Sequence, residues 1–176
     1  IGSGERRGLR GDEEAARLER YAFFRKVALE KHIQKAAVGH TQDDQAETVL
    51  MRLVRGAGMA GLGGMSPVKE MKGIQIIRPL IEVTRKEIED FIKEESLQFR
   101  IDSSNERLVF TRNKVRRLLM PMLEKEFNPN IKEVLANTAE NLQIENEFLE
   151  RYAMRKFKSI SKIKKGEIVI DLKRFK

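Results

Sequence analysis

The sequence predicts an α/β fold with a partial parallel sheet, followed by a mostly helical second part. In the first hundred residues a helical pattern, a short apolar run and a second helical pattern follow one another, which is the order of a parallel-sheet unit. Beyond about residue 111 the apolar spacing is helical over most of the remaining chain. A chain of 176 residues buries about two-thirds of its unfolded surface, enough for one good core or two small ones.

The first half of this pattern divides into three elements. Residues 12–31 carry apolar side chains near helical spacing, with acidic residues at the start and a lysine at the end, and predict a helix. Residues 36–40, AAVGH, predict a buried strand whose carboxyl end opens at His40. Residues 43–55 predict a second amphipathic helix with Asp43 as its N-cap.

A glycine-rich segment separates this unit from the next strand. Residues 56–64 contain five glycines and predict a flexible loop without regular structure, with a lid as one hypothesis. Residues 74–80, IQIIRPL, predict a strand that ends at its proline. Thr84 and Glu87 have the spacing of a capping box, so a helix is expected from there to about residue 95.

The rest of the chain is predicted to be irregular at first and then helical. Mixed signals continue to about Thr111. Helices are expected over residues 112–125, interrupted late by a proline, and over residues 131–157. Residues 166–172, GEIVIDL, alternate like an edge strand.

The formal net charge of +8 is concentrated in two segments. It is +1 over residues 1–99, +4 over 100–120, −4 over 121–154 and +7 over 155–176. A basic sheath over the whole molecule is therefore excluded, and a polyanion is expected to meet the 100–120 segment or the tail, residues 155–176.

Composition also excludes several classes of protein. The chain has no cysteine, so it contains no thiolate nucleophile, cysteine-ligated zinc or redox pair. No apolar run approaches the roughly 18 residues of a membrane span, and the first residues lack the apolar stretch of a signal peptide. We therefore expect a soluble, cytoplasmic protein that does not enter a membrane.

The densest polar cluster is GHTQDDQAET, residues 39–48. His40 stands at a predicted strand end, and Asp43, Asp44 and Glu47 fall in the first turns of the next helix. Ligands of open α/β sheets bind at this edge, and carboxylates there suit Mg²⁺. The alternative is a helix cap with favourable first-turn acids and a structural histidine, and spacing leaves both interpretations open.

Two further clusters carry arginines. Arg52 and Arg55 precede the glycine-rich segment and could hold phosphates, although the glycines match neither GxxxxGK[ST] nor GxGxxG, and a plain connection remains an alternative. Asp102, Arg112 and Arg116 belong to the segment DSSNERLVFTRNKVRR. Its arginines could bind phosphate or a substrate carboxylate, or Asp102 could pair with an arginine and stabilise the loop.

Taken together, these motifs resemble the tRNA(Ile)-lysidine synthetase family of the N-type ATP pyrophosphatases. The resemblance covers roughly residues 12–152, in the order and at the intervals of the family. Its motifs are GHTQDDQAETVLMRLVRGAGMAGLGGM, IIRPL, TRKEIEDFI, DSSN and RNKVRRLLMPML. The resemblance implies a Rossmann-like domain that uses ATP and Mg²⁺ to adenylate the wobble cytidine of tRNA(Ile), after which L-lysine displaces AMP and lysidine forms.

The resemblance also implies a role for each matching residue. The expected catalytic residues are Asp44, Arg112 and Asp102, and the sequence does not choose between Asp44 and Asp102 as the proton acceptor. The expected ATP-binding residues are His40, Asp43, Glu47, Arg55, Gly56 and Gly58. The expected substrate-binding residues are Asn105, Asn113 and Arg116, and the expected metal ligands are Asp44 and Glu47.

Two departures from the family pattern matter. Thr41 stands where the family often has a second histidine, and the nucleotide loop SGGxDS is absent, since IGSG at residues 1–4 does not match it. That loop supplies the backbone N–H groups that hold pyrophosphate. We therefore expect this chain to be part of a larger ligase and to adenylate nothing by itself.

The resemblance divides the chain into three parts. Residues 1–80 correspond to the C-terminal part of the ATP pyrophosphatase catalytic domain, and residues 81–130 continue it with the DSSN and RNKVRR motifs. Residues 131–176 are expected to be a long helix and the start of a basic helical tRNA-binding domain. Two alternatives are a tRNA-binding module without catalysis and another tRNA-modifying ATP pyrophosphatase, such as a thiolase. A homodimer is an open alternative for the assembly.

Overall fold

The first half of the chain alternates helices and strands in the predicted order. The computed structural model describes residues 3–71, 73–99, 111–164 and 167–174. The helices of this half are α1 (Ser3–Glu30), α2 (Gln42–Val54), α3 (Met59–Leu62) and α4 (Arg85–Glu94). The strands are β1 (Lys35–Ala37), β2 (Val68–Met71) and β3 (Ile74–Ile77). The predicted order of helix, strand and helix is confirmed, although α1 begins earlier than its apolar pattern indicated. The strand is shorter than predicted and Lys35 and Ala37 are exposed, so the prediction of a buried strand over residues 36–40 is wrong.

The three strands form one sheet in the order β1-β3-β2. β1 and β3 are parallel, with Ala36 opposite Ile76, whereas the unpredicted β2 pairs with β3 in antiparallel register. The N–H of Val38 donates to the carbonyl of Ile77 at 3.0 Å. His40 and Arg78 therefore follow the same edge of the sheet, where the carboxyl ends of the parallel strands meet.

α1 covers one face of this sheet. Ala28 packs with Ile74 and Ile76, and Tyr21 and Phe24 lie against the same cluster. These α1 positions are spaced by three and four residues, so they form one helical stripe. Leu18 and Leu29, two apolar residues of the helical pattern predicted over residues 12–31, lie outside this stripe and are 60% and 64% exposed.

A second core joins α2 to the helical half. Ala46 and Leu50 of α2 pack against Val115 and Met120, and Leu135 lies against the cluster. Met120 is 1% exposed and Ala46 is 0% exposed. This packing fixes the first turns of α2 against the segment that carries the predicted arginines.

The helical half begins with three continuous segments. They are α5 (Thr111–Lys114), a π-helical turn (Val115–Leu119) and α6 (Met120–Glu126). Pro121 lies in the first turn of α6, and the N–H of Met120 donates to the carbonyl of Val115, five residues earlier. The wider π-helical turn lies just before Pro121, which has no N–H to donate. This explains why the helix continues past the proline.

The final helix is followed by a hairpin. α7 (Ile131–Ile160) extends slightly beyond its predicted end, and then β4 (Ser161–Lys164) pairs antiparallel with β5 (Glu167–Ile170). A short 3-10 turn (Leu172–Arg174) follows. The predicted edge strand is confirmed at β5, while its partner β4 was not expected because the sequence there continues the charge pattern of the helix.

The N-cap of α2 is Thr41, so the prediction that Asp43 caps this helix is wrong. The Thr41 hydroxyl accepts from the N–H of Asp44 at 3.4 Å, and the Asp44 carboxylate accepts from the N–H of Thr41 at 3.0 Å. This reciprocal box satisfies two helix-end donors. Asp43 instead accepts from the N–H of Arg85 at 2.7 Å and pairs with Lys132 at 3.0 Å. The capping box predicted at Thr84 and Glu87 is confirmed.

The glycine-rich segment is partly helical, which corrects the prediction of an irregular loop. Arg52 donates through Nη1 to the carbonyls of Gly61 and Gly64, each at 2.6 Å. Gln45 exchanges two hydrogen bonds with the backbone of Met65, and Gln143 of α7 donates to the carbonyl of Gly63. The glycines have no side chains of their own, so side chains of α2 and α7 hold this segment in place through its backbone.

Candidate functional site

A large cleft opens between α1, α2 and the glycine-rich segment. Its volume is 1460 Å³. The described residues that line it include one acidic side chain, Glu30, and seven cationic side chains. They are Arg25, Lys26, Arg52, Arg55, Lys69, Arg78 and Arg112. Because these positive charges are gathered on one concave surface, the cleft suits an anionic ligand.

Next to the cleft, whose lining includes Arg112, two carboxylates meet two guanidinium groups. Arg112 Nε donates to Glu47 Oε2 at 2.8 Å, and Arg112 Nη2 donates to Asp44 Oδ1 at 2.9 Å. Arg116 Nε donates to Glu47 Oε1 at 2.5 Å, and Arg116 Nη2 donates to Asp44 Oδ1 at 2.9 Å. We call Asp44, Glu47, Arg112 and Arg116 the ion-pair cluster.

The local sequence explains how the cluster assembles. Asp44 and Glu47 are three residues apart on α2, and Arg112 and Arg116 are four apart on the α5 and π-helical stretch. Each pair therefore projects from one face of its helix. The capping box orients Asp44, and the packing of Ala46 and Leu50 on Val115 brings the two faces together.

Burial makes the cluster electrostatically strong. The exposed side-chain fraction is 4% for Glu47, 17% for Asp44, 29% for Arg112 and 38% for Arg116. Burial acts to lower the pKa of Arg116, but the hydrogen bond and charge of Glu47 outweigh it, so the pKa is raised. Arg116 thus remains charged, and forked contacts hold all four side chains in place.

The expected Mg²⁺ ligands are already engaged in this arrangement. Both oxygens of Glu47 accept from arginines, while Oδ1 of Asp44 accepts from the arginines and Oδ2 from Thr41. Within the described ranges, no three histidine or carboxylate side chains are grouped to hold a metal ion. The pair does not fit a resident Mg²⁺ unless an arginine is displaced, and we assign no chemical step to the metal.

His40 lines the cleft beside the ion-pair cluster. Burial lowers the pKa of His40, with Arg78 and Arg112 acting in the same direction and Asp44 opposing them. Its Nδ1 atom is buried and has no hydrogen-bond partner among the described residues. The ring is therefore neutral at pH 7 and keeps a polar atom available next to the cleft.

Arg78 is a site residue that the sequence predictions missed. It is 5% exposed, and it donates through Nη1 to the carbonyl of Ser66 at 2.6 Å. Its Nε is buried without a hydrogen-bond partner in the described part of the chain. The available signal was a single cation inside the apolar run IQIIRPL, directly after the residues that form β3.

The other predicted residues fall into separate places. Arg55 is exposed and lines the cleft, and Gly56 follows it with a φ of 77°. Gly58 is the N-cap of α3, while Asn113 is 8% exposed. Asp43 contacts α4 and α7 instead of the ion-pair cluster. The two remaining predicted residues, Asp102 and Asn105, lie outside the described residues.

The model of the PP-loop domain family matches residues 4–123, so the chain belongs to this family. Its relatives include the tRNA(Ile)-lysidine synthase of Clostridioides difficile, 39% identical over 164 residues, which are 93% of this chain and 35% of that protein. The bifunctional protein TilS/HprT of Listeria monocytogenes is 44% identical over 144 residues, which are 82% of this chain and 22% of that protein. The resemblance to the tRNA(Ile)-lysidine synthetases is confirmed, and the chain spans about a third or less of these relatives.

A solved structure shares the fold at low sequence identity. It is the U34-tRNA thiolase NcsA from Methanococcus maripaludis with its [4Fe-4S] cluster, with a TM-score of 0.56 and 22% identity. The match covers 72% of this chain and 42% of that one. It supports the PP-loop fold and carries no information about the reaction.

Within the described ranges, no helix has the length and apolarity to cross a bilayer.

Proposed function

We propose that this chain is part of a tRNA(Ile)-lysidine synthase, which uses ATP to join L-lysine to the wobble cytidine of tRNA(Ile). The observation that carries the proposal is the basic cleft at the carboxyl edge of the parallel strands, whose lining includes Arg112 of the ion-pair cluster. A nucleotide and an amino acid both bring anionic groups to such a cleft. The identity with lysidine synthases over most of the chain supports this choice.

In the adenylation step, the cytidine carbonyl oxygen attacks the α-phosphorus of ATP and pyrophosphate leaves. Negative charge on the phosphoryl oxygens must be stabilised while the bonds exchange. Arg78, Arg112 and the exposed Arg55 line the cleft and supply positive charge without a change of protonation state. His40, neutral at pH 7, adds hydrogen bonding without adding charge.

In the second step, the side-chain amine of lysine attacks the activated carbon of cytidine and AMP leaves. The amine must be neutral when it attacks, so a nearby group takes its proton. Asp44 accepts from both arginines and from Thr41, so it can take a proton only after one of these donors moves. The carboxylate of lysine is suited to draw one arginine away from it by a forked contact.

The test measures lysidine by mass analysis of tRNA(Ile) after incubation with ATP and lysine. We expect no product from residues 1–176 alone, and product from a polypeptide that also supplies the SGGxDS loop. In that longer protein, Asp44→Asn and Arg112→Ala should strongly lower turnover at temperatures where the variants are still folded, although both substitutions also remove contacts of the ion-pair cluster. Absence of lysidine from the longer polypeptide would contradict the proposal, whereas product from residues 1–176 alone would contradict only the expectation that the SGGxDS loop is required.

The charge of the tail favours a second candidate, a tRNA-binding module without catalysis. Nine basic and two acidic residues stand between residues 155 and 176. A pure RNA module should show no ATP-dependent protection of residues 40–58 in hydrogen exchange, whereas the synthase should. A thiolase is less favoured because the chain contains no cysteine.

A further inference from the structure

We propose that Arg78 binds a phosphate oxyanion of the ligand that occupies the cleft. This proposal rests on the proposed function only in treating the cleft as the nucleotide and RNA site. It assigns the contact to a residue outside the polar segments 39–48 and 102–117. Arg78 follows β3, whereas His40 follows β1.

The position of Arg78 is the first argument. β1 and β3 are parallel neighbours; Arg78 directly follows β3, and His40 is the third residue after β1. Ligands of open α/β sheets bind at this edge, where successive strands deliver side chains to one crevice. Both residues line the cleft.

The burial of its charge is the second argument. A guanidinium group stays protonated in proteins, and buried charges are normally paired with an opposite charge. Arg78 is 5% exposed, yet within the described ranges its hydrogen-bond partner is the neutral carbonyl of Ser66 and it joins no ion pair. A bound oxyanion would supply the missing counter-charge.

The uncommitted donors are the third argument. The forks of Arg112 and Arg116 are taken up by Asp44 and Glu47. The Nε of Arg78 lacks an acceptor in the described part of the chain. Nδ1 of His40, a second buried polar atom on the same edge of the sheet, has no hydrogen-bond partner there either. A ligand oxygen at this edge would satisfy groups whose burial is otherwise costly.

The ligand chemistry is therefore a phosphate oxyanion, and two sources offer it. One is the triphosphate of ATP, and the other is the phosphate backbone of tRNA. The cleft, at 1460 Å³, is large enough for either a nucleotide or the tip of an RNA loop.

The experiment compares the wild-type chain with Arg78→Gln and with Arg85→Gln, whose arginine is exposed and pairs with Glu89. ATP and an anticodon stem-loop of tRNA(Ile) are titrated separately, and Kd and the ligand-induced rise in melting temperature are measured. We expect Arg78→Gln to weaken binding of at least one ligand by about tenfold to a hundredfold. The ligand that responds identifies the source of the phosphate, and Arg85→Gln should bind like the wild type.

A purely structural role would have a different signature. It would lower the melting temperature of Arg78→Gln but leave Kd, and with it the stabilisation that a fixed ligand concentration causes, unchanged. Since the glutamine variant could fold poorly, the Nε–H signal of Arg78 in the wild type is followed by ¹⁵N NMR, with Arg78→Lys identifying the signal. A shift of this signal on adding ATP or the stem-loop supports the proposal.

Unchanged affinity in a folded Arg78→Gln variant would overturn the proposal, as would an Nε–H signal that neither ligand moves. The lysidine assay separates this result from the proposed function. Loss of phosphate binding in the variant, in a protein that makes no lysidine even with the SGGxDS loop, would retain the role of Arg78 and reject the reaction.

Discussion

Glu47 is the most buried carboxylate of the ion-pair cluster, with 4% of its side chain exposed. Both of its oxygens accept from arginines. A buried charge is tolerated only when it is paired, so Glu47 and the two arginines depend on one another. The same residue therefore matters to stability as well as to the site.

Glu47→Gln should destabilise the protein by roughly 2 to 4 kcal/mol, because it leaves two guanidinium groups with half of their counter-charge. The lower part of the usual range is expected because Arg112 and Arg116 are partly exposed and screened by solvent. The midpoint of urea unfolding measures this change.

The matched control is Glu89→Gln, which breaks the exposed pair of Glu89 with Arg85. Exposed pairs of this spacing contribute less than about 1 kcal/mol. Similar unfolding midpoints for the two variants would show that the cluster is not a buried network.

His40 should make stability depend on pH. Its folded-state pKa lies below the ordinary histidine value of 6.5, so the unfolded chain takes up the proton first as pH falls. Stability is therefore highest above pH 6.5 and is lost as pH falls from there through the lowered pKa of the folded state. Free energies of unfolding measured from pH 7.5 downward should show this loss in the wild type and a smaller loss in His40→Asn.

His32→Asn is the control for this experiment, since His32 is exposed and its positive φ suits asparagine. Its stability curve should run parallel to that of the wild type. Equal slopes for His40→Asn and the wild type would exclude His40 as the group responsible.

Among the elements, the glycine-rich segment shows how side chains replace regular structure. Gly64 has a φ of 66°, and a Cβ atom there would lie 2.7 Å from Oε1 of Gln45. Gln45 and Arg52 from α2 and Gln143 from α7 all bind carbonyls of the segment or of Met65. The segment is thus fastened to two helices.

Gly64→Ala should destabilise the protein more than Gly73→Ala does. Both glycines have positive φ, which costs alanine about 1 to 2 kcal/mol. At Gly64 the added methyl group must also displace the Gln45 amide from its two hydrogen bonds with Met65, for about 1 to 3 kcal/mol more. Gly73 has open space around it. Thermal unfolding of both variants tests the difference, and equal effects would show that the Gln45 contact is not rigid.

The elements also show where the sequence patterns succeeded and where they failed. The Thr84 capping box and the helical pattern of residues 131–157 depend on neighbours in sequence, and both are confirmed. Aspartate is a favourable N-cap residue, so the sequence favours Asp43 as the N-cap of α2, but the carboxylate of Asp43 binds Arg85 and Lys132 instead. Such competition comes from distant residues and leaves no periodic signal.

Across the molecule as a whole, the charge is divided between two surfaces. The cleft collects cations from α1, α2, β2 and the residues after β3, while the tail carries nine basic residues beyond the acidic part of α7. The cleft could not be read from charge counts, because residues 1–99 are nearly neutral overall. In the folded protein, cationic side chains of residues 1–99 gather in the cleft, whereas among the described residues of this part Glu30 is the acidic side chain that lines it.

If the tail belongs to the proposed tRNA-binding surface, replacing Lys156, Lys158 and Lys162 with glutamine should reduce the salt dependence of tRNA binding. The slope of log K against log salt is negative, and removing one phosphate-binding cation reduces its magnitude by about 0.9 for duplex and about 0.7 for single strands. We therefore expect a total decrease of about 2 to 3 if all three lysines bind RNA phosphates. Filter binding at several salt concentrations measures the slope. Lys86→Gln, on α4, should leave it unchanged, and an unchanged slope in the triple variant would remove the tail from the RNA surface.

The class of fold, the order of most elements and the two polar motifs that meet in the ion-pair cluster were all predictable from the amino-acid sequence. These features follow from local periodicity, capping chemistry and motif spacing, which are encoded by residues close together in the chain. The folded chain was needed to learn that Arg112 and Arg116 engage Asp44 and Glu47, and that Arg78 joins the cleft. The energy of a buried charge depends on partners tens of residues away, and packing alone determines which of them it meets.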